Sequence, residues 1–284
     1  MPDPGTLAKP QLSQARCELT RAIEIVDAGG ERRGIEIPAE RALTVYVDKR
    51  ELVTLMTLGQ QPELLVLGWL LNQGLVAGVE AIQSVQVDWS VGAAAVRTHA
   101  GVADIEARTA RRIVTTGCGQ GTVFGEWLAG LDTLRLPPPA QSRVHQTTLA
   151  EVAETMRVQG SIHRRAGSVH GTALFQGSGL LQLVEDVGRH NAVDTISGWM
   201  ALHDVPGADK LLMTTGRLTS EMVLKAARIG VPVVVSRNGV TAMGHELAQR
   251  LDMTLIGRAS GRRFVCYTGA DRIVFDPAQR ASPT

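Results

Sequence analysis

Thr115 to Glu126 read TTGCGQGTVFGE, one cysteine among glycines directly after the apolar run Arg112-Ile113-Val114. Gly117, Gly119 and Gly121 clear side chains from around Cys118, so the backbone can adopt positive φ and a second molecule has room to approach. A helix expected to start near Thr122 would turn free N–H groups toward the sulfur and favour the thiolate, the nucleophilic form. The pattern fits nucleophilic sulfur chemistry at Cys118. It fits equally a small buried thiol, the commoner state of an isolated cysteine. Cys17 and Cys266 read as incidental or buried, and three widely spaced cysteines do not make a disulfide framework.

Two further stretches carry chemistry. VEDVGRHNAVD, Val184 to Asp194, gathers two carboxylates, an arginine and a histidine on a glycine-bearing loop between an expected strand and an expected helix. Such a loop can seat an acid–base pair or clamp a polar ligand. Equally, Asp186 or Asn191 can simply cap the helix while the rest stays solvated. GRASGRRF, Gly257 to Phe264, holds three arginines with small residues between them at the end of an expected strand. Guanidinium forks and open backbone N–H groups suit a phosphate or pyrophosphate, with Arg217 as a possible addition; a solvated basic turn is the alternative. A zinc site finds no support, since there is no CxxC pair and His245-Glu246 has the wrong spacing for a deaminase. The signatures of serine hydrolases, P-loops and zincins are also missing.

Bulk properties bound what these residues can do. The 284 residues are 44% hydrophobic and 20% charged, enough for one large domain or two small ones. Lys plus Arg number 29 against 28 for Asp plus Glu, so no global field draws the chain to nucleic acid or to an anionic membrane. An anion must be held locally. The longest apolar run, LLVLGWLL from Leu64 to Leu71, is far short of the roughly 20 residues that cross a bilayer, and reads as a core helix. The first residues lack the basic start and apolar block of a signal peptide, so a cytoplasmic protein with reduced thiols is expected.

The positioning elements follow from periodicity. Residues 1–20, with Pro2, Pro4 and Pro10 and no apolar period, read as a disordered tail. Ala42 to Leu58 reads as a hairpin around Asp48-Lys49-Arg50, Pro62 opens a helix that Gly74 closes, and VQVDWSVGAAAVRTHAG adds two strands. A short helical stretch is expected near Phe124 to Leu131, and the proline-rich Leu136 to Ser142 is the candidate boundary between an N-terminal part, 21–136, and a C-terminal α/β part, 143–284. There, Thr148 and Glu151 form a capping box before a helix that ends at Gly160, and Gly177-Ser178-Gly179 joins two strands. From Asn191 a helix is expected, and then KLLMTTG, SEMVLKAARIG, VPVVVS, GVTAMGHELAQRLD and TLIG alternate strand and helix, which calls for a parallel sheet with crossover helices. The fold class is α/β. Ligands in such sheets collect at the carboxyl ends of the strands.

In order, TTGCGQGTVFGE, SVHGTALF, VEDVGRHNAVD, TTGRLTSEMVLKAARIGVPVVVSRNGVTAMGHELA and TLIGRASGRRFVCYTG resemble the FdhD family, the formate dehydrogenase accessory sulfurtransferases, as does ERALTVYVDKRELVTLMTLGQQPELLVLGWLLNQGLV near the amino terminus. The resemblance implies a cytidine-deaminase-like core with a mixed or parallel sheet, a smaller β-rich N-terminal subdomain and a homodimer in the cytoplasm. It implies a carrier that takes sulfane sulfur from a cysteine desulfurase as a Cys118 persulfide. The carrier passes this sulfur to the molybdenum bis-pyranopterin guanine dinucleotide bound for the formate dehydrogenase apoenzyme, and has no structural metal. By the same resemblance, Arg258, Ala259, Ser260, Gly261, Arg262 and Arg263 form the cofactor-binding segment. Two departures stand out. Many members carry a second cysteine where this chain has Gly121, and the family segment usually begins with an aromatic residue where this chain has Arg258. The first departure motivates an alternative, a molybdenum-cofactor chaperone that transfers no sulfur. A hydrolytic deaminase, drawn from fold alone, lacks zinc ligands.

Overall fold

The computed structural model describes residues 9–102, 113–114, 121–122, 131–159 and 161–276. The chain forms two compact units: residues 1–124, 161–169 and 185–204 make up the first, and 125–160, 170–184 and 205–284 the second. Both are mixed α/β structures.

In the first unit, β1 (Gln11–Leu12), β4 (Arg41–Val47), β5 (Arg50–Thr57), β6 (Ile82–Asp88) and β7 (Ala93–Thr98) form a sheet in the order β1-β6-β7-β4-β5, while β2 (Thr20–Val26) and β3 (Arg32–Pro38) pair as a separate hairpin. The β4–β5 hairpin turns through Asp48 and Lys49, both at positive φ (47° and 72°), the type I′ geometry that matches strand twist. Asp48 tolerates it because its carboxylate accepts hydrogen bonds from the N–H and the hydroxyl of Thr98, at 3.0 and 2.6 Å. Pro62 starts helix α1 (Pro62–Asn72), and Gly74, at φ 67°, follows its end. Leu65, Val66, Leu67, Trp69 and Leu70 are all buried, so α1 has no polar stripe. One side meets the sheet through Leu43, Val45, Leu55, Ile82 and Val85. The other meets α4 (Arg189–Leu202), the last long helix of this unit.

Residues 9–20 depart from the expected tail. Here β1 pairs in parallel with β6, the Ser13 hydroxyl and the Ala15 N–H donate to the buried Glu63 carboxylate at 2.5 and 2.6 Å, and Lys9 pairs with Asp204 at 2.6 Å. Their partners lie far along the chain, where no local period registers them.

The second unit is built on a six-stranded sheet, β12-β11-β13-β14-β15-β16, from β11 (His170–Gln176), β12 (Gly179–Asp186), β13 (Lys210–Thr214), β14 (Val233–Ser236), β15 (Thr254–Ser260) and β16 (Arg263–Thr268). The strands β13, β14 and β15 run parallel, as the strand and helix alternation requires, and the antiparallel β11 and β16 flank them. Helices α5 (Ser220–Arg228) and α6 (Ala242–Arg250) make the crossovers, with Gly230 at φ 72° closing the first. Helix α2 (Gln146–Gln159) buries Leu149, Val152 and Met156 against Phe175, Leu211, Met213, Val235 and Ile256. It starts at Gln146, directly after the short strand β10 (Val144–His145), so Thr148 sits inside its first turn and is not its cap. The proline-rich stretch is held by Arg272, which is fully buried; its Nε donates to Ser142 Oγ at 2.8 Å and its Nη2 to the Pro137 carbonyl at 2.7 Å. Among the described residues no helix is long and apolar enough to cross a membrane.

Candidate functional site

At the carboxyl ends of β13, β14 and β15 three loops lie side by side, Thr215–Thr219, Arg237–Thr241 and the bulge at Gly257-Arg258. Their hydrogen bonds tie each loop to the next. Ser236 Oγ donates to the Gly216 carbonyl at 2.5 Å, Asn238 Nδ2 to the Thr215 carbonyl at 3.0 Å, and the Arg237 N–H to the Thr214 carbonyl at 3.2 Å. Leu218 N–H donates to the Gly239 carbonyl at 3.0 Å, and Arg258 N–H to the Asn238 carbonyl at 2.9 Å. Gly257 has to be glycine, because a Cβ there would lie 2.7 Å from the Asn238 carbonyl and 2.8 Å from the Tyr267 ring. The result is a braced ledge carrying exposed Arg217, Arg237 and Arg258.

The Arg258 to Arg263 segment does not present one face. Arg258 takes the left-handed conformation, φ 53°, at a shift in the β15–β16 register. The Ala259 side chain is buried in the core beneath α2, while Ser260 is exposed. Gly261, φ 55°, makes the tight turn, which pairs Ser260 with Arg263. Arg262 lines a shallow recess of about 250 Å³ with Gln146, Thr147, Ala150, Glu151 and Asp276. The structure thus bonds the Arg258 backbone to the Asn238 carbonyl and Asn238 in turn to the loop that carries Arg217, with Arg237 and Asn238 between them, two residues that sequence reading missed. Their signal was the polar Arg-Asn-Gly that ends the apolar run VPVVVS.

Cys118 and residues 115–120 lie outside the described residues. On either side, β8 (Ile113–Val114) and β9 (Gly121–Thr122) pair antiparallel, Ile113 with Thr122 and Val114 with Gly121. Thr122 is therefore in a strand and not at a helix start. The described cysteines are free thiols. Burial pushes the Cys17 thiol up, with Arg41 pulling weakly the other way, and Cys17 lies against the carbonyls of Leu58 and Gly59 in a cleft of about 500 Å³. Burial pushes the Cys266 thiol up as well. Both favour the protonated, unreactive form.

The VEDVGRHNAVD segment resolves into structural roles. Asp186 Oδ2 accepts from the Thr57 hydroxyl at 2.5 Å and the Leu58 N–H at 3.1 Å; Oδ1 accepts from the Gly188 N–H and Asn191 Nδ2, both at 2.9 Å. Asn191 Nδ2 also donates to the Met56 carbonyl at 2.7 Å. This knot ties the end of β5 to the start of α4. Burial pushes the Asp186 carboxyl up, and the four donors only partly offset it. Glu185 accepts from the N–H groups of Ile162 and His163, at 2.9 and 3.1 Å, capping the short helix α3 (Ser161–Ala166). The remainder is not solvated, because Arg189 and His190 are each about 95% buried. Among the described residues no group of three or more His, Cys, Asp or Glu side chains is placed to hold a metal ion.

Comparison with known proteins accounts for this set of motifs. The model of the FdhD/NarQ family matches residues 38–274. The sulfur carrier protein FdhD of Bacillus licheniformis is 32% identical over 240 residues, covering 84% of this chain and 90% of the relative. That of Bacillus subtilis is 31% identical over 235 residues, covering 82% and 88%. Among solved structures, a protein from Desulfotalea psychrophila, described as a candidate formate dehydrogenase accessory protein, superposes with a TM-score of 0.71 at 25% identity, covering 90% of this chain and 98% of that one. With a family model spanning most of its length and relatives above 30% identity over most of theirs, the chain belongs to the FdhD/NarQ family.

Proposed function

We propose that this chain is a cytoplasmic sulfur carrier, a sulfurtransferase that serves formate dehydrogenase. Cys118 accepts a sulfane sulfur from a cysteine desulfurase. Its thiolate attacks the outer sulfur of the desulfurase persulfide; the new S–S bond forms at Cys118, the old one breaks, and the desulfurase thiolate leaves. The acceptor of that sulfur is the molybdenum bis-pyranopterin guanine dinucleotide, carried as cargo. The observation that carries this reading is family membership over a match that includes the Cys118 motif, among relatives that bear the name sulfur carrier protein. The basic ledge supports the cargo, since exposed guanidiniums without an ion-pair partner among the described residues suit the pyrophosphates of a dinucleotide. A cytidine-deaminase-like core, in keeping with the parallel β13-β14-β15 sheet and its crossover helices, completes the reading, and a homodimer is part of it on the family resemblance alone.

Gly121 favours a second reading. It takes the place of the family's second loop cysteine and pairs with Val114 in a ladder, so a disulfide within this loop is not open to Cys118. A carrier of this kind regenerates its thiol with an external reductant or by direct donation; a chaperone holds the cofactor without moving sulfur. One experiment separates them. Incubation with a cysteine desulfurase and cysteine, without reductant, should add the mass of one sulfur to the intact protein and none to Cys118→Ala. No gain, with cofactor still bound, selects the chaperone.

A further inference from the structure

The amino ends of the second unit's central strands border a recess that neither the sulfur chemistry nor its cargo uses. We propose that this recess is a binding site for one small oxyanion, inorganic or carboxylate, held by the Lys210 ammonium beside the first turn of α2 and separate from the ledge.

The recess has a volume of about 190 Å³ and lies wholly within the second unit, with Ser142, Arg143, His145, Thr148, Asp209 and Lys210 on its wall. Lys210 is the first residue of β13, and Val233, also on the wall, is the first of β14. The ledge stands at the other end of these strands, about 13 Å away along β13. Sites for drug-sized ligands occupy roughly 300–1,000 Å³, so this recess is too small for a nucleotide and large enough for an ion of a few atoms.

Lys210 is the centre of the site. Its side chain is only 5% exposed, and an ammonium carries three N–H donors. Among the described residues it donates to Asp209 Oδ1 and to no other acceptor, which leaves two donors of a buried charge to be met from the recess it lines. Asp209 is fully engaged: Oδ2 accepts from Gln176 Nε2 at 2.7 Å, and the bond from Lys210 holds its carboxyl below the usual aspartate range. A second buried cation stands behind the wall. Ser142 Oγ accepts from Arg272 Nε at 2.8 Å, and Arg272 is fully buried with no hydrogen-bond partner for Nη1 among the described residues. The carboxylates that answer these two cations, Asp209 and Asp252, are 51% and 62% exposed, so water screens them while the cations stay desolvated. Arg143 and His145 are exposed on the same wall, and the first turn of α2, which includes Thr148, has no acidic residue. The recess is therefore positive, and an anion answers that charge where water supplies only dipoles.

The test is calorimetric titration of the full chain with sodium phosphate, sodium sulfate and sodium formate, each against sodium chloride at equal ionic strength. At least one oxyanion should bind at one site per chain where chloride does not, and which of them binds separates an inorganic ion from a carboxylate. Lys210→Met should weaken that binding about tenfold or more, the loss expected for one charge-assisted contact, and the exposed Arg143→Ala about threefold. A measurement on the wild type keeps the test open if Lys210→Met does not fold: the bound oxyanion should slow acetylation of Lys210 by acetic anhydride at least about threefold, by peptide mass mapping. The site is overturned if none of the three oxyanions binds saturably, or if Lys210→Met and Arg143→Ala bind as the wild type does. Loss of binding in Arg217→Ala alone places the anion on the ledge and overturns it as well. None of these outcomes touches the mass gain at Cys118, so the carrier reading stands or falls separately.

Discussion

Asp186 shows how one side chain can look catalytic in a sequence and act as a joint in the fold. Its two oxygens take four donors from two segments of chain, among them Leu58 and Gly188 backbone N–H groups that would otherwise be buried and unpaired. Replacing it with asparagine turns an NH2 toward those donors, and Asp186→Asn should cost about 1–3 kcal/mol in urea unfolding. Its pH dependence has a definite sign. Burial raises the folded carboxyl above its unfolded value, so the native state holds this proton more tightly. The stability contributed by that proton is complete below the unfolded value and is lost as pH climbs through the raised one. The stability gap between wild type and Asp186→Asn should therefore narrow as pH rises above the ordinary aspartate range and through the raised value. The thiols permit a parallel measurement. With both pushed up by burial, Cys17 and Cys266 in the Cys118→Ala protein should react with iodoacetamide at least about fivefold more slowly than free cysteine near neutral pH, and faster as pH rises, by peptide mass mapping.

At the scale of elements, α1 and α4 pack backbone to backbone. A Cβ on Gly68 would lie 1.7 Å from the Asp194 carbonyl oxygen, and one on Gly198 would lie 2.0 Å from that of Leu64. Neither neighbour is a side chain that can swing aside. The crossing is also locked by Asn72 Nδ2, which donates to Asp194 Oδ1 at 2.7 Å and Ser197 Oγ at 2.9 Å. Gly68→Ala and Gly198→Ala should each cost about 3 kcal/mol or more, read as a fall in urea midpoint. Gly34→Ala, in β3 with nothing within 4 Å of the added methyl, is the control and should stay within about 0.5 kcal/mol.

For the whole molecule, the family match begins at residue 38, yet the chain before it is part of the first unit. The strand β1 extends the five-stranded sheet, and Ser13 and Ala15 satisfy the Glu63 carboxylate, which is about 95% buried. Removing residues 1–19 strips both donors from that carboxylate and uncovers the edge of β6. The truncated protein should unfold at lower urea, by about 2 kcal/mol or more. The carrier reading is tested at this scale too, since sulfur loading depends on one atom of the whole chain. Cys118→Ala should abolish the mass gain, while Cys17→Ala and Cys266→Ala retain it.

What the sequence by itself determined is whatever repeats over short distances or is written in consecutive residues. The alternation from Lys210 to Gly257 predicted the parallel β13-β14-β15 order, Pro62 and Gly74 marked α1, and the Cys118 and Val184–Asp194 motifs pointed to the family. Those signals are local, set by side-chain period, proline φ and glycine freedom. Only the tertiary structure decided that residues 9–20 are ordered, because a two-residue strand and a carboxylate some fifty positions away leave no periodic trace. It alone decided that α1 is covered on both sides, and that Asp186 is a joint and not a proton carrier in solvent. The loops that carry Arg217, Arg237 and Arg258 stand about twenty residues apart in the chain and are bonded each to the next through parallel strand pairing, which no short window of sequence contains.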